Sequence, residues 1–297
     1  MNEKLSSAST TFMVLLIGLL WGLNWPAVKI MLTEVPPLTI RAVAFPVAAG
    51  ILAAVALFKG QGLVPARGEW SRIAVTGLLL VCGFNLLTTV GQLLMEASRA
   101  AIIAYLMPAM TVGLAWMFLG ERLGPRGSMA LAAGMLGIVI MASEDFTALV
   151  SDPLGILVML LAALSWAAGN VCQKHWKFTL RSLPLTIWYF AVSTIVAWAL
   201  VLVYEPPSEQ SWPSPLVLSI LIYHALGPMV ICYALWTMLL DGQSASTTAI
   251  TALLAPVVGV VSSIIILGEP TTWQKVVALA LILASVALVL IPAAPKR

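Results

Sequence analysis

Long apolar runs separated by short polar breaks occupy the chain from one end to the other. Within each run the apolar residues are continuous and do not alternate with period two, which predicts helices and argues against a membrane β-barrel. Each run is close to the ~20 residues an α-helix needs to cross a hydrocarbon core. Lipid offers the backbone no hydrogen-bond partner, a second reason for helices. Spans are expected at 11–32, 37–58, 71–95, 98–119, 127–143, 154–174, 184–204, 215–240, 244–266 and 273–292. The fold class that follows is an all-α membrane protein of ten transmembrane helices.

Composition strengthens that picture. Of 297 residues, 61% are hydrophobic and 9% charged, against ~25% charged in soluble domains. The charges also orient the chain. With the N-terminus inside, eleven basic residues fall on inner loops and tails, leaving Lys29, Arg41, Arg99 and Lys275 outside. The positive-inside rule therefore places both termini in the cytoplasm, with the acidic loop 144–152 outside. The net charge of +3 reflects topology and implies no nucleic-acid partner. Cys82, Cys172 and Cys232 lie scattered within spans, which fits neither a disulfide framework nor a metal site. No cofactor is expected. The first run is long enough to span and has no small-x-small cleavage site after it, so it reads as retained.

Self-similarity divides the chain in two. Residues 98–121, "SRAAIIAYLMPAMTVGLAWMFLGE", and 246–269, "STTAITALLAPVVGVVSSIIILGE", share ten of 24 positions at an offset of 148, Pro108 with Pro256 and the closing Leu-Gly-Glu among them. "PLTI" at 37–40 returns at 184–187, and Trp21 and Lys29 match Trp166 and Lys174. Residues 1–148 and 149–297 thus read as two five-helix repeats. An odd number of helices inverts the second relative to the first, an architecture common in secondary transporters with a site between repeats.

Polar residues inside the spans form stripes at helical spacing. Trp21, Asn24, Trp25 and Val28 share one face, as do Asn85, Thr88, Thr89 and Gln92. So do Trp166, Asn170, Gln173 and Lys174, and Ser244, Thr247, Thr248 and Thr251. Facing lipid, such groups would be unsatisfied. Each alone fits interhelical hydrogen bonding; the four stripes together favour a shared cavity. His224, the one mid-span group that titrates near neutrality, fits either packing or the pocket. Arg41, near a span end, reads as snorkelling or a structural ion pair, and Lys29 and Lys174 likewise. Pro26, Pro108, Pro228 and Pro256 are candidate hinges, with fixed curvature as the alternative for the repeat-related pair Pro108 and Pro256.

These features are jointly familiar. Two five-helix halves, "WGLNWPAVKI" in the first span and P-x10-LGE closing the fourth and ninth resemble the drug/metabolite transporter superfamily in its EamA-repeat branch. The resemblance covers essentially the whole chain. It implies inverted repeats around a cavity bordered by helices 1, 3, 4, 6, 8 and 9, in a multi-pass protein of the bacterial inner membrane. The branch includes exporters of amino acids and other metabolites, its aromatic amino-acid exporters being the first comparison.

The substrate argument is physical. Candidate pocket aromatics are Trp21, Trp25, Phe84, Tyr105, Trp166 and Tyr189, mixed with Asn24, Asn85, Thr88, Asn170, His224 and Thr251. Aromatic walls suit planar or apolar side chains, and neutral polar groups suit a zwitterion. Glu96, Glu121, Asp241 and Glu269 all sit at span ends, so no buried carboxylate offers a proton relay. Export down a gradient of amino acids with aromatic or bulky apolar side chains is the leading expectation. Another neutral metabolite or a lipophilic drug is the alternative cargo. An intramembrane enzyme is disfavoured by the absence of zinc-ligand spacing, a Gly-x-Ser-x-Gly elbow or an aspartate pair, and no phosphate-binding loop suggests an ATP-driven pump. The expected partners are the small-molecule substrate and the lipid bilayer, with a monomer as the working expectation.

Overall fold

The computed structural model describes residues 7–94, 100, 103–143, 153–268 and 271–290. Glu96, Arg99, the acidic loop 144–152 and Glu269 lie outside them. Among the described residues the chain forms ten helical rods: α1 (Ser7–Met31), α2 (Pro37–Phe58), α3 (Trp70–Leu94), α4 (Met107–Leu119 with a short turn before it), α5 (Pro125–Ala142), α6 (Pro153–Trp176), α7 (Ser182–Tyr204), α8 (Pro215–Gly242), α9 (Ala245–Thr251 and Leu254–Leu267) and α10 (Trp273–Leu290). Seven are long and apolar enough to cross a membrane; α4, α5 and α10 are shorter and equally apolar. The ten spans expected from hydropathy therefore appear, with boundaries displaced by a few residues except in the fourth, expected at 98–119, whose regular helix begins at Met107.

The helices pair as a two-fold relation between halves requires. The α2–α7 and α5–α10 contacts each join a helix to its own repeat partner. The α1–α9 contact returns as α6–α4, α3–α6 as α8–α1, and α3–α7 as α8–α2. Glycine lets the α1–α9 crossing form. A Cβ on Gly22 would sit 2.4 Å from Cβ of Val258 and 2.8 Å from the Ala255 carbonyl oxygen, so α1 can lie against α9 only without one.

The repeat extends to backbone irregularities. In α3, residues Leu78–Gly83 form a π-helical segment, and in α8 Ala225–Cys232 do the same. The second segment houses Pro228, whose missing N–H is easier to accommodate in the wider turn than in a regular helix. Both α4 and α9 break, at residues 105–106 and 252–253. Pro108 and Pro256, midway along the spans expected at 98–119 and 244–266, are therefore not in mid-helix. Pro108 is the second residue of Met107–Leu119 and Pro256 the third of Leu254–Leu267, first-turn positions where a missing N–H leaves no bond unmade. Pro26 sits inside an unbroken α1. The Leu-Gly-Glu signature has a structural cause as well: Gly120 and Gly268 end their helices in the left-handed region, at φ 67° and 70°.

Four loop carboxylates tie one half to the other. Glu34 accepts from the Ser214 N–H and hydroxyl at 2.6 and 2.8 Å, and Glu205 from the N–H groups of Leu38 and Thr39 at 3.0 and 2.7 Å. At the opposite end Glu69 accepts from the Thr179 N–H at 2.7 Å, and Glu121 from those of Ala245 and Ser246 at 3.0 Å each. Glu205 and Glu121 thus satisfy N–H groups at helix starts, where the backbone has no partner of its own. Since α1 ends where α8 begins, the two run in opposite directions, as inverted repeats require.

Candidate functional site

Three rings form the floor of a central cavity. Trp21 of α1, Trp166 of α6 and Tyr233 of α8 meet edge to face, with centroids 5.3 Å apart for Trp21–Trp166, 5.7 Å for Trp21–Tyr233 and 5.8 Å for Trp166–Tyr233. That arrangement sets the positive edge of one ring on the negative face of another. Trp236 packs against both tryptophans, and Phe84 lies 4.8 Å from Trp166. The π segments aim these residues: Phe84 and Asn85 follow the first directly, and Tyr233 follows the second. Trp21 Nε1 donates to the carbonyl of Pro228, inside that second segment, at 3.2 Å.

Above the floor the wall mixes polar and apolar side chains, and its polar groups come largely from one side. Asn85 donates to the Tyr233 hydroxyl and, at 2.8 Å, to the Val81 carbonyl. Trp25 Nε1 donates to the Tyr105 hydroxyl at 2.6 Å, Tyr105 lying in the break of α4. The cavity with its mouth and the open solvent there holds roughly 600 Å³ of unfilled space. Val28, Arg41, Thr88, Gln92, Met107, Met229, Ala252 and Ala255 complete its lining. It rises from the rings toward the end where α1 finishes. Beneath the rings the bundle is closed: Lys174 Nζ donates to the Leu240 carbonyl at 2.7 Å, Ser182 to Asp241, and Thr186 to Thr237.

Eight of the twelve residues singled out in the sequence line this cavity: Trp21, Asn24, Trp25, Phe84, Asn85, Thr88, Tyr105 and Trp166. Four do not. Asn170 is one layer below, donating to the Trp166 carbonyl and accepting from Trp236 Nε1 at 2.7 Å. Tyr189 is fully buried where α7 meets Gly77 of α3. Thr251 turns its hydroxyl back to the Thr248 carbonyl at 2.6 Å. His224 stands directly behind the wall, its Nδ1 2.7 Å from Asn24 Oδ1 and its Nε2 2.7 Å from Arg41 Nη1.

Sequence reasoning missed two lining residues of consequence. Arg41 neither snorkels nor joins an ion pair among the described residues; it is 2% exposed and turned inward, adding α2 to the six helices expected. Its only hint was a cation inside a span. Tyr233 was lost among the apolar residues of α8, where an aromatic carries no signal of its own. Lys174, too, bonds carbonyls instead of reaching for solvent.

Comparison with known proteins agrees with this architecture. A model of the EamA-like transporter family matches residues 8–143 and 153–291. The chain is 26% identical over 291 residues to the uncharacterized transporter YvbV of Bacillus subtilis (strain 168), covering 97% of this chain and 93% of that protein. It is 25% identical over 292 residues to a probable amino-acid metabolite efflux pump of Salmonella typhimurium (strain LT2), covering 92% of each. A solved crystal structure superposes with a TM-score of 0.77 at 20% identity, over 95% of this chain and 96% of that one, and shares the fold.

Proposed function

The chain belongs to the EamA-like transporter family, and from that premise we propose that it exports amino acids with aromatic or bulky apolar side chains across a bacterial inner membrane by alternating access. It is a multi-pass membrane transporter and not an enzyme. The observation that carries the cargo assignment is the cavity itself: a floor of aromatic rings under a wall in which amide, hydroxyl and guanidinium groups sit among apolar side chains, with no carboxylate among the described lining residues. Rings accept a planar or apolar side chain, and the polar wall accepts a zwitterionic head. A relative carrying the name of a probable amino-acid metabolite efflux pump supports the same reading. Within the family we read the sequence as most like the aromatic amino-acid exporter YddG.

In this conformation the cavity rises toward the end opposite the start of α1 and the finish of α10, which we read from the distribution of basic residues as the outer face. The sealed layer around Lys174, Leu240 and Asp241 is then the cytoplasmic closure, and the breaks preceding Pro108 and Pro256 are the symmetric points at which the halves reorient. Counterflow in proteoliposomes tests the cargo, with labelled phenylalanine and tryptophan set against threonine and a neutral nucleoside. The reading predicts accumulation of the aromatic amino acids and little of the others. Accumulation of the nucleoside alone would favour the alternative of a neutral-metabolite or lipophilic-drug exporter, which the apolar floor also suits.

A further inference from the structure

Arg41 is a cation deep in a protein that spans lipid, and it has no anionic partner among the described residues. Burying a guanidinium is costly unless an opposite charge or a wet cavity compensates it. Its Nε donates to Thr89 Oγ1 at 2.9 Å and its Nη1 to His224 Nε2 at 2.7 Å, both neutral acceptors. Those bonds use two of the five N–H groups of a guanidinium, and the side chain lines the cavity.

The hydrogen-bond order then sets the next group. Arginine can only donate, so His224 accepts at Nε2, carries its proton on Nδ1, and donates that proton to Asn24 Oδ1 at 2.7 Å. With its oxygen so engaged, Asn24 is left to present its amide N–H groups to the cavity it lines. One buried acceptor in the lining completes the set. Gln92 Oε1 has no hydrogen-bond partner, although Gln92 is only 3% exposed.

We propose that Arg41, with the amide of Asn24, holds the carboxylate of the transported molecule, and that Gln92 Oε1 takes its ammonium group. His224 and Thr89 are positioning residues that fix the guanidinium fork, whose planar geometry matches a carboxylate. The assignment rests on the amino-acid reading above for the ammonium half. The carboxylate half stands on the unpaired cation alone.

The test measures binding by thermal stabilisation of the purified protein, since a ligand that binds the native state raises Tm. The probes are L-phenylalanine, L-phenylalaninamide and 3-phenylpropionate. The wild type needs no substitution to be informative: phenylalanine is expected to bind about tenfold to a hundredfold more tightly than its amide, the range of a charge-assisted hydrogen bond. In Arg41→Gln that preference disappears, whereas Arg41→Lys keeps it with weaker binding. Gln92→Leu weakens phenylalanine and leaves 3-phenylpropionate unchanged. Equal binding of acid and amide by the wild type overturns the proposal, as does a monodisperse Arg41→Gln protein that still prefers the acid. Binding of 3-phenylpropionate dependent on Arg41, with none of phenylalanine, would refute the amino-acid reading and the Gln92 role while supporting the carboxylate site.

Discussion

The two halves of the molecule are alike in backbone and unlike in chemistry. Both place a π segment in their third helix, break their fourth just before a proline, and close it with a left-handed glycine. Yet at the repeat offsets Asn24 faces Gly169, Trp25 faces Asn170, Arg41 faces Trp188 and Tyr105 faces Leu253. Every one of those first-half residues lines the cavity; none of the second-half counterparts does. The second half contributes Trp166, Met229, Tyr233, Ala252 and Ala255, so Tyr233 brings its only hydroxyl to the lining. Symmetry builds the frame that moves, and its loss in the side chains builds the site. A backbone tolerates identical irregularities in both copies because each must bend alike, while a single ligand between them cannot meet two identical walls.

The comparison can be broken most forcefully at the one aromatic pair the halves share. Trp166 is 1% exposed and touches Trp21, Phe84, Tyr233 and Trp236, whereas Trp21 is only partly buried. Trp166→Ala is expected to cost about 3–5 kcal/mol of stability, and Trp21→Ala clearly less, with its main effect on flux. Thermal unfolding of the two variants in parallel checks this; equal destabilisation would show the floor to be symmetric after all.

A smaller effect sharpens the frame side of the contrast. Gly22→Ala forces a Cβ into Val258 and the Ala255 carbonyl, an overpacking expected to cost about 1–3 kcal/mol. Gly50→Ala in α2 has no neighbouring atom within 4 Å and is expected to stabilise by about 0.5–1 kcal/mol. Unfolding midpoints that move in the same direction would contradict the close α1–α9 crossing. Smallest is Trp188→Phe at the repeat counterpart of Arg41. It removes the 2.6 Å bond from Trp188 Nε1 to the Leu63 carbonyl, costs about 1 kcal/mol, and leaves flux unchanged. A fall in flux there would extend the site into the second half.

Much of this was legible in the sequence because length and repetition are coarse, robust signals. Ten apolar runs near the span length fixed the helix count, and the Pro and Leu-Gly-Glu matches located the repeat. The stripe Asn85, Thr88, Gln92 was readable because three polar residues one turn apart in lipid have only one low-cost direction to face. Arg41 was not, since a single cation one turn inside a helix end satisfies the snorkelling pattern equally well. Only the rotation of α2 against α7 and α8 turns it inward. The π segments were equally hidden: a change of hydrogen-bond register leaves no residue signature beyond Pro228, and the segment in α3 lacks even that. Tyr189 was misplaced for a related reason, because its face is set by the close approach to Gly77 and not by its own spacing.

The most direct test of the central claim is counterflow of labelled phenylalanine by Asn85→Ala and Cys232→Ala, one just beyond the π segment of the first half and one at the end of the π segment of the second. Asn85 loses its bond to the Tyr233 hydroxyl and its place in the lining; Cys232 is buried and outside the lining. The account predicts that Asn85→Ala lowers flux at least about tenfold while Cys232→Ala matches the wild type. Equal loss in both, with both proteins folded and reconstituted alike, would contradict a site built from one half on a frame shared by two.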